Sequence, residues 1–151
     1  MQTTTAVTPN ARNHENLTRL ASRFVKVDEL PWETTKFPGV HAKTLMIDKP
    51  RGLLTVLLKM EPGAKLPDHE HVLIEQTYVM EGRLVDREGE CGPGEFVWRP
   101  AGSRHEVYTP DGGLMIAIFL VPNRFYEKGG PTTDMLGQDW ESTWGATVAA
   151  E

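Results

Sequence analysis

From Phe24 onward the chain alternates short apolar runs with Pro- and Gly-containing breaks. The runs are Val40 to Ile47, Leu53 to Met60, Glu75 to Glu81, Arg83 to Arg87, Glu95 to Arg99, His105 to Thr109 and Leu114 to Val121. Each has strand length and is rich in β-branched or aromatic residues, and nothing between Phe24 and Val121 carries a long helical period. The breaks at Lys49-Pro50-Arg51-Gly52, Glu61-Pro62-Gly63, Gly92-Pro93-Gly94, Pro100-Ala101-Gly102 and Pro110-Asp111-Gly112-Gly113 are turn chemistry, because Pro presets φ and Gly accepts positive φ. Regularly spaced turns between short strands predict an all-β sandwich or barrel.

The ends differ from this middle. Residues 1–20 are rich in Thr, Asn and Ala and poor in apolar side chains, which predicts a flexible N-terminal arm, with a short helix around Glu15 to Ala21. The barrel is expected over 21–125 and a C-terminal extension packed on it over 126–151. In that extension Trp140 and Trp144 stand four apart, as on one face of a short helical segment. Leu53 to Leu58 and Leu114 to Val121 are apolar at both parities, yet a barrel interior covers one face only. The N-terminal segment, a second sheet or a partner subunit must cover the other, and a homodimer through such outward faces is expected.

Composition narrows the partners. Sixteen basic and 21 acidic residues give a net charge of −5 with no long basic run, which argues against nucleic acid. No apolar stretch reaches the roughly 18 residues of a membrane span, and no signal peptide is evident, so a cytoplasmic protein is expected. The only cysteine, Cys91, excludes an internal disulfide and has no neighbouring base to activate it.

The candidate chemistry lies between residues 63 and 105. His69 and His71 are two apart, so on an extended strand both imidazoles project to one face, and Glu75 keeps that parity. His105 arrives from another strand after the Pro100-Ala101-Gly102 turn. Three imidazoles and one carboxylate suit one divalent ion of the iron, manganese, nickel or zinc group. Inward parity with Glu75 and His105 adds Thr77, Val79, Val107 and Thr109, a mostly apolar lining suited to a small, uncharged, partly apolar ligand. Glu70 should face outward as a solvated or ion-paired group, His41 is expected to be structural, and Arg99 and Arg104 are assigned to the surface, although either could reach an anionic ligand at the barrel mouth.

The intervals Gly63-x5-His69-x-His71-x3-Glu75-x6-Gly82 and Gly94-x5-Pro100-x-Gly102-x2-His105 match both signature motifs of the cupin superfamily, and the resemblance covers about Val40 to Val121. It implies a cupin double-stranded β-helix, or jelly-roll barrel, with His69, His71, Glu75 and His105 as metal ligands. One departure is Thr109, where the second motif usually ends in Asn; that position is not a ligand in the family. The stretches around Pro62-Gly63-Ala64, Tyr78 to Gly82 and Trp98 to His105 are similar to two groups of small single-barrel cupins: ketone-cleaving dioxygenases acting on dihydroxyacetophenone or β-diketones, and the zinc-binding cupin domain of a bacterial anti-sigma factor responsive to singlet oxygen. The first resemblance implies a non-haem dioxygenase that cleaves a carbon–carbon bond in a small diketone or aromatic hydroxyketone, with Fe2+ favoured and Zn2+, Ni2+ or Mn2+ also fitting. Against it, the diketone-cleaving relatives use histidines alone, and Glu75 departs from that set. The second implies a non-catalytic metal-bound sensor. Direct sigma-factor binding is disfavoured, because the polar residues before Phe24 lack a helical zinc module. Epimerase or isomerase chemistry on a sugar nucleotide is the weakest expectation, since those barrels need no complete metal set.

Overall fold

Alternation of inward and outward side chains sets the architecture. In the computed structural model, which describes residues 4–127 and 129–149, buried positions recur every second residue where the sequence alternates: Thr77 and Val79 face in while Gln76, Tyr78 and Met80 face out. The parts of the expected arm and extension at 1–3, 128 and 150–151 lie outside the described residues. The strands are β1 (Ala6–Val7), β2 (Glu33–Thr34), β3 (Val40–Asp48), β4 (Leu53–Met60), β5 (Lys65–Glu70), β6 (Glu75–Gly82), β7 (Leu84–Asp86), β8 (Gly89–Cys91), β9 (Phe96–Arg99), β10 (Arg104–Tyr108), β11 (Gly113–Phe119) and β12 (Arg124–Phe125). The larger sheet runs β1-β3-β4-β11-β6-β9 with β2 beside β3, and the smaller runs β12-β5-β10-β7-β8. Every pairing is antiparallel, as in a jelly roll.

The main core lies between the sheets. Val40, Leu58, Val79 and Met115 from the larger sheet meet Leu66, Leu84, Val107 and Phe125 from the smaller. The expected all-β jelly roll is therefore the observed fold. The seven apolar runs all contain strands, and five strands, β1, β2, β8, β12 and, most important for the site, β5, lie outside them. β5 holds one aliphatic residue, Leu66, and its alternation is broken: Val107 pairs with Leu66 but His105 pairs with His69, so Pro67 and Asp68 bulge opposite Glu106. Strict alternation from Leu66 would turn Asp68 inward; the bulge turns His69 inward instead.

The outer face of the larger sheet has two fates. Over β3 and β4 the N-terminal segment covers it: the Lys43 ammonium donates to the Val27 carbonyl at 2.9 Å and lies over the Trp32 ring. Over β11, β6 and β9 the side chains of Ile118, Tyr78, Met80, Phe96 and Trp98 remain exposed. The expected arm contributes β1, whose Ala6 and Val7 pair with Asp48 and Ile47. The helix expected around Glu15 to Ala21 is absent; the segment turns instead, with Asn16 at φ +63°.

At the other end, a wide helical turn over Glu141–Gly145 leads into α1 (Ala146–Ala149). Trp140 and Trp144 are both buried, against Val121 and the loop residues Val72 and Leu73, as their four-residue step predicts. The Trp140 indole donates to the Pro122 carbonyl at 2.8 Å, and the Trp144 indole donates to Asp134 at 3.0 Å. Trp144→Phe keeps most of the ring and leaves that buried Asp134 oxygen short of a donor. It is expected to cost about 1–3 kcal/mol, read as a lower urea midpoint with an unchanged slope.

Candidate metal centre

His69 and His105 are cross-strand partners on β5 and β10, so their rings stand side by side and face the larger sheet. His71 lies just past β5, and the Pro100-Ala101-Gly102 turn fixes it: its N–H donates to the Ser103 carbonyl at 2.8 Å and its carbonyl accepts from the Gly102 N–H at 2.7 Å. The three ring centroids form a nearly equilateral triangle, 4.7 to 4.9 Å apart. Phe125 backs the His69 ring at 4.8 Å.

The outer nitrogen of each ring is engaged. His69 Nδ1 donates to the Pro67 carbonyl at 2.7 Å, made available by the bulge. His71 Nδ1 lies 2.6 Å from Glu75 Oε2 and 3.1 Å from Asn123 Oδ1, and His105 Nδ1 lies 2.9 Å from Asp86 Oδ2. All these partners are acceptors, so each imidazole carries its proton on Nδ1 and leaves Nε2 as a free lone pair. His71 Nε2 and His105 Nε2 are 3.0 Å apart with no donor between them, and one nitrogen from each of the three rings lies within 4.8 Å of the others. Lone pairs held this close repel unless a cation lies among them, so the donor set fits a metal ion.

Charge state agrees with that fit. Burial pushes the His69 pKa down to about 4, only partly opposed by the Pro67 hydrogen bond. His105 is also lowered, by burial first and then by Arg99 and His71, against the pull of Asp86. Both rings are neutral at pH 7, the state a metal requires.

Glu75 is placed differently from the three rings. It faces inward from β6 and lines the same small space as His69 and His105, but its Oε2 meets His71 at Nδ1 and it does not belong to the group of three ligand atoms within 4.8 Å of one another. Oε1 accepts from the Thr77 hydroxyl at 2.9 Å and Oε2 from the Asn123 amide at 2.9 Å. Burial alone would raise its pKa; the hydrogen bond and attraction of His71, with the hydrogen bond from Asn123, outweigh that and bring it to about 2.

Arg99 departs from its expected surface role. Its side chain is 12% exposed and its guanidinium lies 2.7 Å from Asp86, itself 2% exposed. Asp86 also accepts from the backbone N–H groups of Glu88 and Gly89, so a buried Arg99-Asp86-His105 relay joins the two sheets. Arg104 stays exposed, paired with Asp68 at 2.6 Å and resting on the Tyr126 ring. Glu70 is ion-paired outward, with Arg124 at 2.9 Å, and His41 faces Glu61 at 3.3 Å near the surface. Asp86 and Asn123 were not singled out from the sequence. Asp86 shares parity with Leu84 on β7, a signal that could have marked it as inward; Asn123 lies in no strand and carries no such signal.

The His69 and His105 rings border a cavity of about 30 Å³ whose walls also include Leu66, Glu75, Thr77, Arg99, Val107, Phe119, Asn123 and Met135. That is room for an ion or a water. Thr77 and Val107 line it as their parity predicts, whereas Val79 and Thr109 are buried elsewhere; the Thr109 hydroxyl donates to the Gly112 carbonyl. Among the described residues no helix is long and apolar enough to cross a membrane.

The same jelly roll occurs in several solved structures. An acetylacetone dioxygenase from Acinetobacter johnsonii is 18% identical, with 90% of this chain and 97% of that chain covered and a TM-score of 0.68. The polyketide cyclase RemF from Streptomyces resistomycificus is 21% identical over 86% of this chain and 98% of its own, with a TM-score of 0.59. A chain of the Rhodobacter sphaeroides complex of SigE with the anti-sigma ChrR is 22% identical over 62% of this chain and 51% of its own, with a TM-score of 0.55. At these identities the likeness establishes the fold. No curated protein matches the sequence. Residues 21–124 match the model of the ChrR cupin-like domain, and with that span covering most of the barrel and both halves of the histidine cluster, the chain belongs to this cupin family.

Proposed function

We propose that the protein is a mononuclear metal-dependent dioxygenase that cleaves a carbon–carbon bond in a small diketone or aromatic hydroxyketone, with His69, His71 and His105 holding the ion. The observation that carries this reading is the convergence of one ring nitrogen from each of His69, His71 and His105 within 4.8 Å of one another, beside a small, mostly apolar cavity that His69 and His105 border. The fold shared with the Acinetobacter johnsonii enzyme over nearly the whole chain supports it. When bound, Fe2+ would supply open positions at which a chelating enolate and dioxygen could meet.

The chain's own residues prepare the site for an anion. Glu75 and Asp86 contribute two negative charges and Arg99 one positive, so a divalent ion leaves the centre at +1, which a monoanionic enolate would neutralise. Asp86 and Arg99 fix the His105 ring, Pro67 fixes His69, and the walls of Leu66, Val107 and Phe119 keep bulk water out. Admission of a diketone needs more than the 30 Å³ present, so Met135, which also lines the space, must give way. We further propose a cytoplasmic homodimer that covers the exposed Tyr78, Phe96, Trp98 and Ile118 face.

Oxygen-electrode traces with iron-loaded protein and a panel of diketones and hydroxyacetophenones test the activity. Uptake above that of His105→Ala with at least one compound is expected. A flat trace across the panel would remove the dioxygenase reading and favour a non-catalytic metal-bound sensor.

A further inference from the structure

We infer that Met135 is the gate and the size filter of the cavity beside the three histidines: a substrate enters past its side chain, and the room that side chain can vacate sets how large a ketone is admitted. This rests on the metal site and the substrate class proposed above. Most of the cavity wall cannot yield. Its aliphatic and aromatic faces, among them Leu58, Leu66, Val107, Met115 and Phe119, are buried in strands of both sheets. Among the described residues that line it, only Glu75, Arg99 and Met135 reach partly toward solvent.

Two of these three are pinned. Glu75 accepts from Thr77 and Asn123 and faces His71, and Arg99 holds Asp86 at 2.7 Å. Moving either would leave a buried charge short of its partners. Met135 is an unbranched apolar chain with three rotatable bonds, so it can swing outward at the cost of dispersion contacts alone. Its backbone stays behind. Asp134 Oδ1 accepts from the Leu136 and Gln138 N–H groups, both at 3.0 Å, and Oδ2 from the Trp144 indole at 3.0 Å, while the Met135 carbonyl accepts from the Lys36 N–H at 2.9 Å. A loop that lifted as a whole would break all of these bonds, so the moving part is the side chain.

An opening of that kind is small. The vacated Cγ, Sδ and Cε give room for a methyl or ethyl group beside the chelating oxygens and not for a phenyl ring, since a cavity of roughly 150 Å³ is what takes up benzene. The site is therefore selective for compact aliphatic 1,3-diketones over aryl ketones. That selection lies in a residue of the C-terminal extension rather than in the barrel.

Visible absorption of the Co2+-loaded protein, titrated with acetylacetone and with benzoylacetone, tests the gate, because the two diketones differ only by a phenyl for a methyl. In the wild type acetylacetone should shift the bands at a concentration roughly 10-fold or more below that of benzoylacetone, and Met135→Ala should bring the two within about 3-fold of each other. Met135→Phe, which fills the opening, should raise the acetylacetone requirement roughly 10-fold, and it decides if Met135→Ala does not fold. Before any diketone is added the bands should be the same in all three proteins. A wild type that responds equally to both diketones, a Met135→Ala protein that keeps the wild-type preference, or bands that already differ without diketone would overturn the gate and leave the metal site standing. Co2+ bound but unmoved by either diketone in every variant would overturn the substrate class and the gate with it. A wild type that takes up no Co2+ would overturn the metal site itself.

Discussion

Replacing His69 and His105 together by Ala is expected to take the protein from close to one transition-metal ion per chain to almost none, while its circular dichroism stays that of a folded β protein. Tetrahedral structural sites hold their ions by about 10–16 kcal/mol over four ligands, so each ligand carries roughly 3–4 kcal/mol and the loss of two weakens binding by roughly five orders of magnitude. The fold should survive because the substitutions leave the apolar core, including Val40, Leu58, Val79, Met115 and Phe125, in place. Two opposed effects act on the apo-protein. The deletions leave space in front of Phe125, but they also remove the confrontation of the His71 and His105 ring nitrogens, 3.0 Å apart. Chelation of the wild type should likewise leave the far-ultraviolet spectrum intact. Elemental analysis of protein purified without added metal gives the answer directly. An ion content unaffected by the double substitution would mean that the cluster is not where metal binds.

How much of this centre could be read in the chain depends on distance along it. His69, His71 and His105 are marked by spacing and by the turn that delivers the last of them, and Glu75 by parity; the structure turns all four inward. What parity cannot give is which nitrogen of His71 the acid meets. That choice is settled by Asn123, 52 residues from His71, whose amide holds the carboxylate behind the ring. Asp86 is likewise 19 residues from His105, and its burial follows from Arg99 crossing from the other sheet. A pattern of apolar runs also hides β5, because its inward positions are Leu66 and His69, three apart across a bulge. The same pattern does reveal the surplus apolar face: Leu114 to Val121 exceeds what one core can cover, and the outward side chains around Ile118 are the excess.

Two glycines of the first motif should separate sharply on substitution by alanine. Both Gly63 and Gly82 have left-handed backbone, at φ +83° and +69°, so each alanine pays the same conformational penalty of about 1–2 kcal/mol. Around Gly63 a Cβ would meet nothing within 4 Å, and the cost should stop there. At Gly82 the Cβ would fall inside the Gly112 carbonyl oxygen, 2.6 Å from that carbonyl's carbon and 2.7 Å from the Gly113 Cα. These are backbone atoms of the turn entering β11, which pairs with Gly82 through Gly113 and accepts the Thr109 hydroxyl at Gly112. Relief requires the β6–β11 ends to separate, which disturbs the Met115 and Val79 pair in the core just beyond. Gly82→Ala is therefore expected to lose more than about 4 kcal/mol or fail to fold, against about 1–2 kcal/mol for Gly63→Ala. Urea unfolding of both variants measures the gap. Equal midpoints would show that β11 yields freely, and that close approach of the two backbones is not what requires a glycine at residue 82.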